Sequence, residues 1–317
     1  MCLPHIPPRT DCAGQLPTGA PHRPEPITTP KEHAVEKTAH VRHPIEWAGA
    51  QLQHAWRLRL QQLESPPAAL PLPRHITTDD LRASLAAGLH DFLTFRSDVV
   101  VLCCIYPVAG AVLWQFATGA NLLHMIFPLI AGFALVGPLF ATGLYEMSRR
   151  QERGEPVTWA TAFEPFRSPA IFRIAALGVA LLAVFFVWLL AAEMIYRATL
   201  GGPPPASLGQ FAHEVLFTSG GLAMIVLGIA VGFVFAFGVL CCGVISFPLL
   251  LDKNVTVPRA VRTSIAAVRA NPRVMALWGL VVAAGLAIGA APFLVGLIVI
   301  LPILGHATWH LYRRLIP

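Results

Sequence analysis

Two histidines four residues apart, His306 and His310 in "GHATWHLYRR" (305–314), share one face of any helix they occupy. Such a pair supplies half of a tetrahedral zinc site, and the remaining ligands must come from elsewhere in the chain. "PLFATGLYEMSRR" (138–150) aligns with "PILGHATWHLYRR" (302–314), each with a proline eleven residues before Arg-Arg. That alignment sets Thr142 and Glu146 opposite the two histidines and makes Glu146 the candidate third ligand. The same residues support a simpler reading. Trp309, Tyr312 and Arg313–Arg314 have the composition of a helix end in the headgroup zone, where a histidine meets water or phosphate without a metal. This second reading is preferred, so no metal is expected at His306, His310 and Glu146. Haem suits the pair less well, because two histidines on one helix face cannot clasp an iron from opposite sides.

The cysteines offer a second chemistry. Cys103–Cys104 and Cys241–Cys242 are adjacent pairs inside apolar segments, and four thiols brought together would suit a soft metal. The preferred reading is that they pack as small hydrophobes. With Cys2 and Cys12 they form no disulfide framework of the secreted kind. The sequence contains no Walker loop, nucleophile elbow, HExxH or Rossmann glycine pattern. No catalytic residue and no cofactor is therefore expected, and the chain reads as not an enzyme.

The elements that must position these residues are set by composition. The chain is 55% hydrophobic and 13% charged, with a mean hydropathy of +0.62, whereas soluble domains carry about 25% charge. Residues 1–75 hold 13 of the 28 prolines and read as a disordered Pro/His-rich tail without a signal peptide. Within it, 45–63 has the pattern of an amphipathic helix lying on a membrane surface. Residues 76–317 read as an all-α, six-span membrane domain. A helix needs roughly 20 residues to cross the hydrocarbon core, and the apolar runs give spans at about 98–118, 123–147, 171–195, 219–251, 274–290 and 292–313. The last two divide at Pro292, since proline breaks a helix.

Charge supports this division. With six spans and both ends cytoplasmic, 22 of the 23 Lys and Arg residues face the cytoplasm, and only Arg197 faces outward. The net charge of +6 then implies an inner face against anionic lipid, with no nucleic acid partner. No span carries a charge near its centre, which argues against an ion-coupled carrier. Gly228-x-x-x-Gly232 and Gly285-x-x-x-Gly289 imply close helix packing.

An internal repeat is visible. "LRASLAAGL" (81–89) matches "VRTSIAAVR" (261–269), and "TWATAF" (158–163) is a weaker third copy. Each is expected to be an interfacial amphipathic helix starting near Thr78, Thr158 or Thr256 and followed by a helical hairpin, three times over.

The motifs "DLRASLAAGLHDF" (80–92), "AGFALVGPLFATGLYEMSRR" (131–150), "SFPLLLDKNV" (246–255), "AVRANP" (267–272) and "ILPILGHATWHLYRR" (300–314) together resemble the bacterial integral membrane proteins catalogued as domain of unknown function 2189. The resemblance spans about residues 76–317 and implies a bacterial inner membrane, but no activity. The expected role is a non-enzymatic scaffold or accessory protein whose protein partners no motif identifies. A permease for a neutral or apolar solute is the alternative, with prolines supplying its broken helices, and a metal-handling protein comes third.

Overall fold

The computed structural model describes residues 72–119, 122–201, 205, 207–292 and 294–317. The amphipathic helix expected at 45–63 lies outside the described residues. Among those described, every regular element is helical.

Helix α1 (Thr78–Thr94) starts at a capping box. The Thr77 hydroxyl accepts from the Asp80 amide at 3.3 Å, and the Asp80 carboxylate accepts from the Thr77 amide at 2.8 Å. That bond from the Thr77 amide is the main reason the Asp80 carboxyl is held below its ordinary range. After α1, α2 (Arg96–Cys103) and α3 (Ile105–Gly119) cover the first expected span.

The second expected span is broken into α4 (Ile126–Leu135), α5 (Gly137–Phe140) and α6 (Thr142–Glu152). Pro138 is the cause: it lacks an amide, and its ring opposes the carbonyl four residues back. A 3-10 helix, Trp159–Arg167, precedes α7 (Ile171–Thr199). At 1.5 Å per residue the 29 residues of α7 run about 43 Å, longer than a hydrocarbon core. Next come α8 (Leu208–Phe217), α9 (Ser219–Gly243) and α10 (Ser246–Asp252), with Pro248 producing the break between the last two. The chain ends in α11 (Val257–Ala270), α12 (Pro272–Ala290) and α13 (Leu297–Leu315).

Among the described residues, four stretches are long and apolar enough to cross a membrane: Arg96–Phe116, Ile171–Thr199, Ser219–Asp252 and Pro272–Ala290. The second and sixth expected spans are not among them. The second retains only a short apolar helix, Leu123–Gly132. The sixth starts at Leu297 rather than 292, and its latter half carries both histidines and both arginines.

The expected break at Pro292 is present. Leu294 there takes a left-handed conformation, φ 65°, which costs a non-glycine residue about 1–2 kcal/mol. Its side chain fills a notch at Gly110, where an added Cβ would lie 2.0 Å from Leu294 Cδ1. Across the turn, a Cβ on Gly289 or Gly296 would collide with the opposing backbone or with Leu297, so the second glycine pair works at a close helix crossing. The first pair does so only in part. Gly232 meets Trp188, while Gly228 faces open space.

The interior concentrates at the arginine-rich end. There α1 lies along α13, the 3-10 helix packs on α6, and α11 packs on α9 and α10. Contacts from Arg314–Ser84 through Ala307–Gly88 to His306–Phe95 make α1 and α13 antiparallel neighbours along nearly the whole of α1. The helix expected to start near Thr78 is present, with a long side-by-side packing on α13 that the repeat did not imply. The cause of this packing is the small face formed by Ser84 and Gly88, which lets the two backbones approach closely.

Candidate functional site at the arginine-rich end

Where α1, α6 and α13 meet, four polar side chains form one network. Asp91 of α1 is 4% exposed. The Ser148 hydroxyl donates to Asp91 Oδ2 at 2.6 Å, and His310 Nε2 donates to the same oxygen at 2.8 Å. His306, fully buried, places Nδ1 2.7 Å from Ser148 Oγ. Because the Ser148 proton is committed to Asp91, His306 Nδ1 is the donor in that contact. Burial pushes the Asp91 carboxyl up, but the bonds from His310 and Ser148 outweigh it and hold the group below its ordinary value. A buried carboxylate without such partners would be strongly destabilising.

The sequence positions these groups through small residues. A Cβ on Gly88 would lie 2.5 Å from the Ala307 amide nitrogen, and one on Gly305 would lie 2.6 Å from Leu144. Glycine at both places lets α13 settle between α1 and α6, which brings His306 to Ser148 and His310 to Asp91. Ser84, Gly88 and Asp91 follow one another at spacings of four and three, so they lie on one helix face.

Outside this network lies a shell of ion pairs. Glu146 accepts from Arg149 at 2.8 Å and from Arg150 at 3.4 Å. Glu152 accepts from the Trp309 indole at 3.1 Å and from Arg313 at 2.9 Å. Asp252 accepts from the Tyr312 hydroxyl at 2.7 Å, and Arg314 donates to Ser84 at 3.0 Å. Asn271 accepts from the Ile76 amide at 2.8 Å and donates to the Arg74 carbonyl at 2.9 Å, fastening the segment before α1 to the start of α12. Arg149, Glu152, Arg153, Asp252, Trp309 and Arg313 line an open polar cavity of about 250 Å³.

The candidate residues from the sequence are thus brought together only in part. His306 and His310 enter one network. Glu146 is held by its neighbouring arginines instead, and Asp91, which the sequence reading passed over, takes the place given to it. His306 does not meet water or headgroups, since it is fully buried. This corrects the headgroup reading for that histidine. Among the described residues no group of three or more His, Cys, Asp or Glu is arranged to hold a metal ion. Cys103 is buried beside Phe92, Phe95 and Tyr106, Cys104 is exposed, and Cys241 packs against the other hydrophobic cluster. A second polar site, also missed in sequence, lies near the opposite end. Glu193 accepts from His124 at 2.7 Å and from Arg197 at 2.6 Å, and the His124 ring stacks on Tyr196 with centroids 4.1 Å apart.

Residues 126–252, from the start of α4 to the end of α10, match the family model described as predicted integral membrane protein (DUF2189). This is the family that the motifs resemble. The match contains the 131–150 motif and most of the 246–255 motif, while the α1 and α13 motifs fall outside it. No curated protein and no solved structure matches the chain. Four long apolar helices and this match make the chain an integral membrane protein.

Proposed function

We propose that this integral membrane protein, whose residues 126–252 match that family, is a six-span, non-enzymatic scaffold or accessory protein of a bacterial inner membrane, with both ends in the cytoplasm. In this reading α4–α6 and the stretch from the Pro292 turn through α13 complete the second and sixth crossings. The unit is a short helix followed by a hairpin, repeated three times. Two close approaches at equivalent positions support the repeat. In the alignment of 138–150 with 302–314, Gly143 corresponds to Ala307. Gly143 abuts Ala162 of the 3-10 helix, and Ala307 abuts Gly88 of α1. Each short helix packs on a returning segment, and the first closes onto the last.

The observation that carries the scaffold reading is where the buried polar groups lie. Among the described residues the buried polar side chains are Ser84, Asp91, His124, Thr142, Glu146, Ser148, Thr161, Ser246, Ser264, Asn271 and His306. All but His124 lie towards the arginine-rich end. Ser84, Asp91, Ser148, Ser264, Asn271 and His306 bond from one element to another, whereas Thr142, Glu146, Thr161 and Ser246 bond within their own helix or the segment just before it. A permease for a polar solute needs polar groups along its path, so this distribution argues against that kind; a permease for a neutral or apolar solute is separated from the scaffold by the reconstitution test below. Both proposed ends lie on the arginine-rich side, and there the membrane surface is anionic.

Reporter fusions after Pro317 and within 201–210 test the topology. The expected result is a cytoplasmic signal from the first and a periplasmic signal from the second. A periplasmic C-terminus overturns the six-span arrangement. For the role, purification in mild detergent is expected to recover a stoichiometric protein partner. Solute-dependent swelling of proteoliposomes holding the protein alone would favour the permease instead.

A further inference from the structure

The break in the second span leaves an opening beside it. Helix α5 is four residues long, and α6 leaves it towards α1 and α13. Between α3, α5–α6, α7 and the 3-10 helix lies a groove of about 450 Å³. Its lining is almost wholly apolar and includes Ile105, Leu139, Phe163, Phe166, Val179 and Leu182. This volume lies within the roughly 300–1,000 Å³ of small-molecule sites. Phe163, Phe166 and Val179 are 47%, 67% and 65% exposed, so the groove opens sideways, where an embedded protein meets hydrocarbon.

We propose that this groove binds one acyl chain of an anionic phospholipid, with the headgroup at Arg167. Three observations carry the proposal. The first is depth. On α7 the lining runs from Ile171 to Leu182, about 17 Å along the helix axis. That is about half of a ~30 Å hydrocarbon core, the depth of one leaflet. A partner helix would need a groove of full bilayer depth, whereas one lipid chain fills this one. The second is charge. Arg149, Arg150 and Arg153 nearby are all paired with carboxylates. Arg167, directly after the groove residue Phe166, is exposed and among the described residues has no such partner. A headgroup of net negative charge at the leaflet surface complements it, whereas a zwitterionic headgroup already carries its own ammonium beside the phosphate. The third is the interfacial aromatic face. Trp159, Phe163 and Phe166 are exposed and sit ring against ring, at centroid distances of 6.1 and 6.4 Å. Aromatic side chains favour that zone of a bilayer.

The inference rests on the proposed orientation only for which leaflet the groove faces, and it does not rest on the scaffold role. The test is native mass spectrometry of the full-length protein in mild detergent, titrated with phosphatidylglycerol and separately with phosphatidylethanolamine. Ala175 lines the groove and is exposed, so Ala175→Phe fills it from the open side. A symmetric elution profile checks that this variant folds. Wild-type protein is expected to hold one phosphatidylglycerol per chain. Ala175→Phe should weaken that binding at least tenfold, and Val226→Phe, on the exposed face of α9, should leave it unchanged. Arg167→Gln should weaken phosphatidylglycerol binding about fivefold, the factor expected for one basic residue at an anionic surface, and leave phosphatidylethanolamine binding unchanged. Undiminished phosphatidylglycerol binding by Ala175→Phe overturns the proposal. So does an equal loss for both lipids in Arg167→Gln, or a wild-type dimer that Ala175→Phe abolishes while lipid binding persists. The reporter fusions read topology independently, so failure here is distinguishable from failure there.

Discussion

Helices α13 and α9 show two ways of living in the same membrane protein. In α13, ten of nineteen residues are buried, among them Trp309, Tyr312 and His306. In α9, only Gly221, Val239 and Gly243 of twenty-five are buried, and Val226, Ile229, Phe233 and Val234 are each about two thirds exposed. Yet α9 is the more apolar helix. Apolarity alone does not drive helices together in hydrocarbon, because lipid solvates leucine as well as another leucine does. Small residues and polar bonds drive them together. Helix α13 has both, through Gly305, Ala307 facing Gly88, and its two histidines. In α9, Gly228 and Gly238 face open space, and the closest glycine contacts, at Gly220 and Gly221, are confined to its first turn.

The contrast can be broken most severely at Gly88. Gly88→Leu puts a Cβ 2.5–2.7 Å from the Ala307 backbone, and backbone cannot move aside as a side-chain end does. Loss of about 3 kcal/mol or more is expected, seen as collapse of the monodisperse elution peak and a large fall in melting temperature. Gly88→Leu with near wild-type melting would show that α1 does not sit on α13 as described.

Acid should act on the same junction. The Asp91 carboxyl is depressed in the folded protein, so its contribution is fully present above the unfolded value near 3.9. It is lost as pH falls through the lower folded value. Melting temperature of wild-type protein should therefore fall below about pH 4. Asp91→Asn should be less stable at neutral pH by about 1.5–3 kcal/mol, the worth of hydrogen bonds to a charged group, and should show a shallower acid slope. Equal acid slopes would remove Asp91 from the account.

The smallest effect belongs to α9. A Cβ added at Gly228 meets nothing within 4 Å, so Gly228→Leu should shift stability by less than about 0.5 kcal/mol in the same melting assay. A shift as large as that of Gly88→Leu would mean that α9 has a partner face the isolated chain does not display.

Much of this architecture was legible in sequence. The apolar runs located the four long helices, and Pro138, Pro248 and Pro292 each lie at a break, because a missing amide and a colliding ring act locally. The polar network was not legible in the same way. His310 and Asp91 are 219 positions apart, and Trp309 meets Glu152 across 157. One helix read alone does not tell which partner its face meets. Asp91 resembled an ordinary solvated acid beside His90 and was passed over. The signal available was its shared face with Ser84 and Gly88, a small-small-acidic stripe. Glu146 is a candidate partner of the histidines only through the alignment of 138–150 with 302–314. That alignment fails for the charges, because arginines three and four residues on claim the Glu146 carboxylate first.

Asp91 of α1 and His310 of α13 hold the arginine-rich end together through their shared bond. A double-mutant cycle with Asp91→Ala, His310→Ala and the pair, read by unfolding of the full-length protein in detergent at pH 7, tests it directly. Two groups sharing a buried hydrogen bond should show a coupling of about 1–3 kcal/mol, so the double variant loses less than the sum of the singles. Losses that add to within about 0.3 kcal/mol, the behaviour of independent sites, would contradict it.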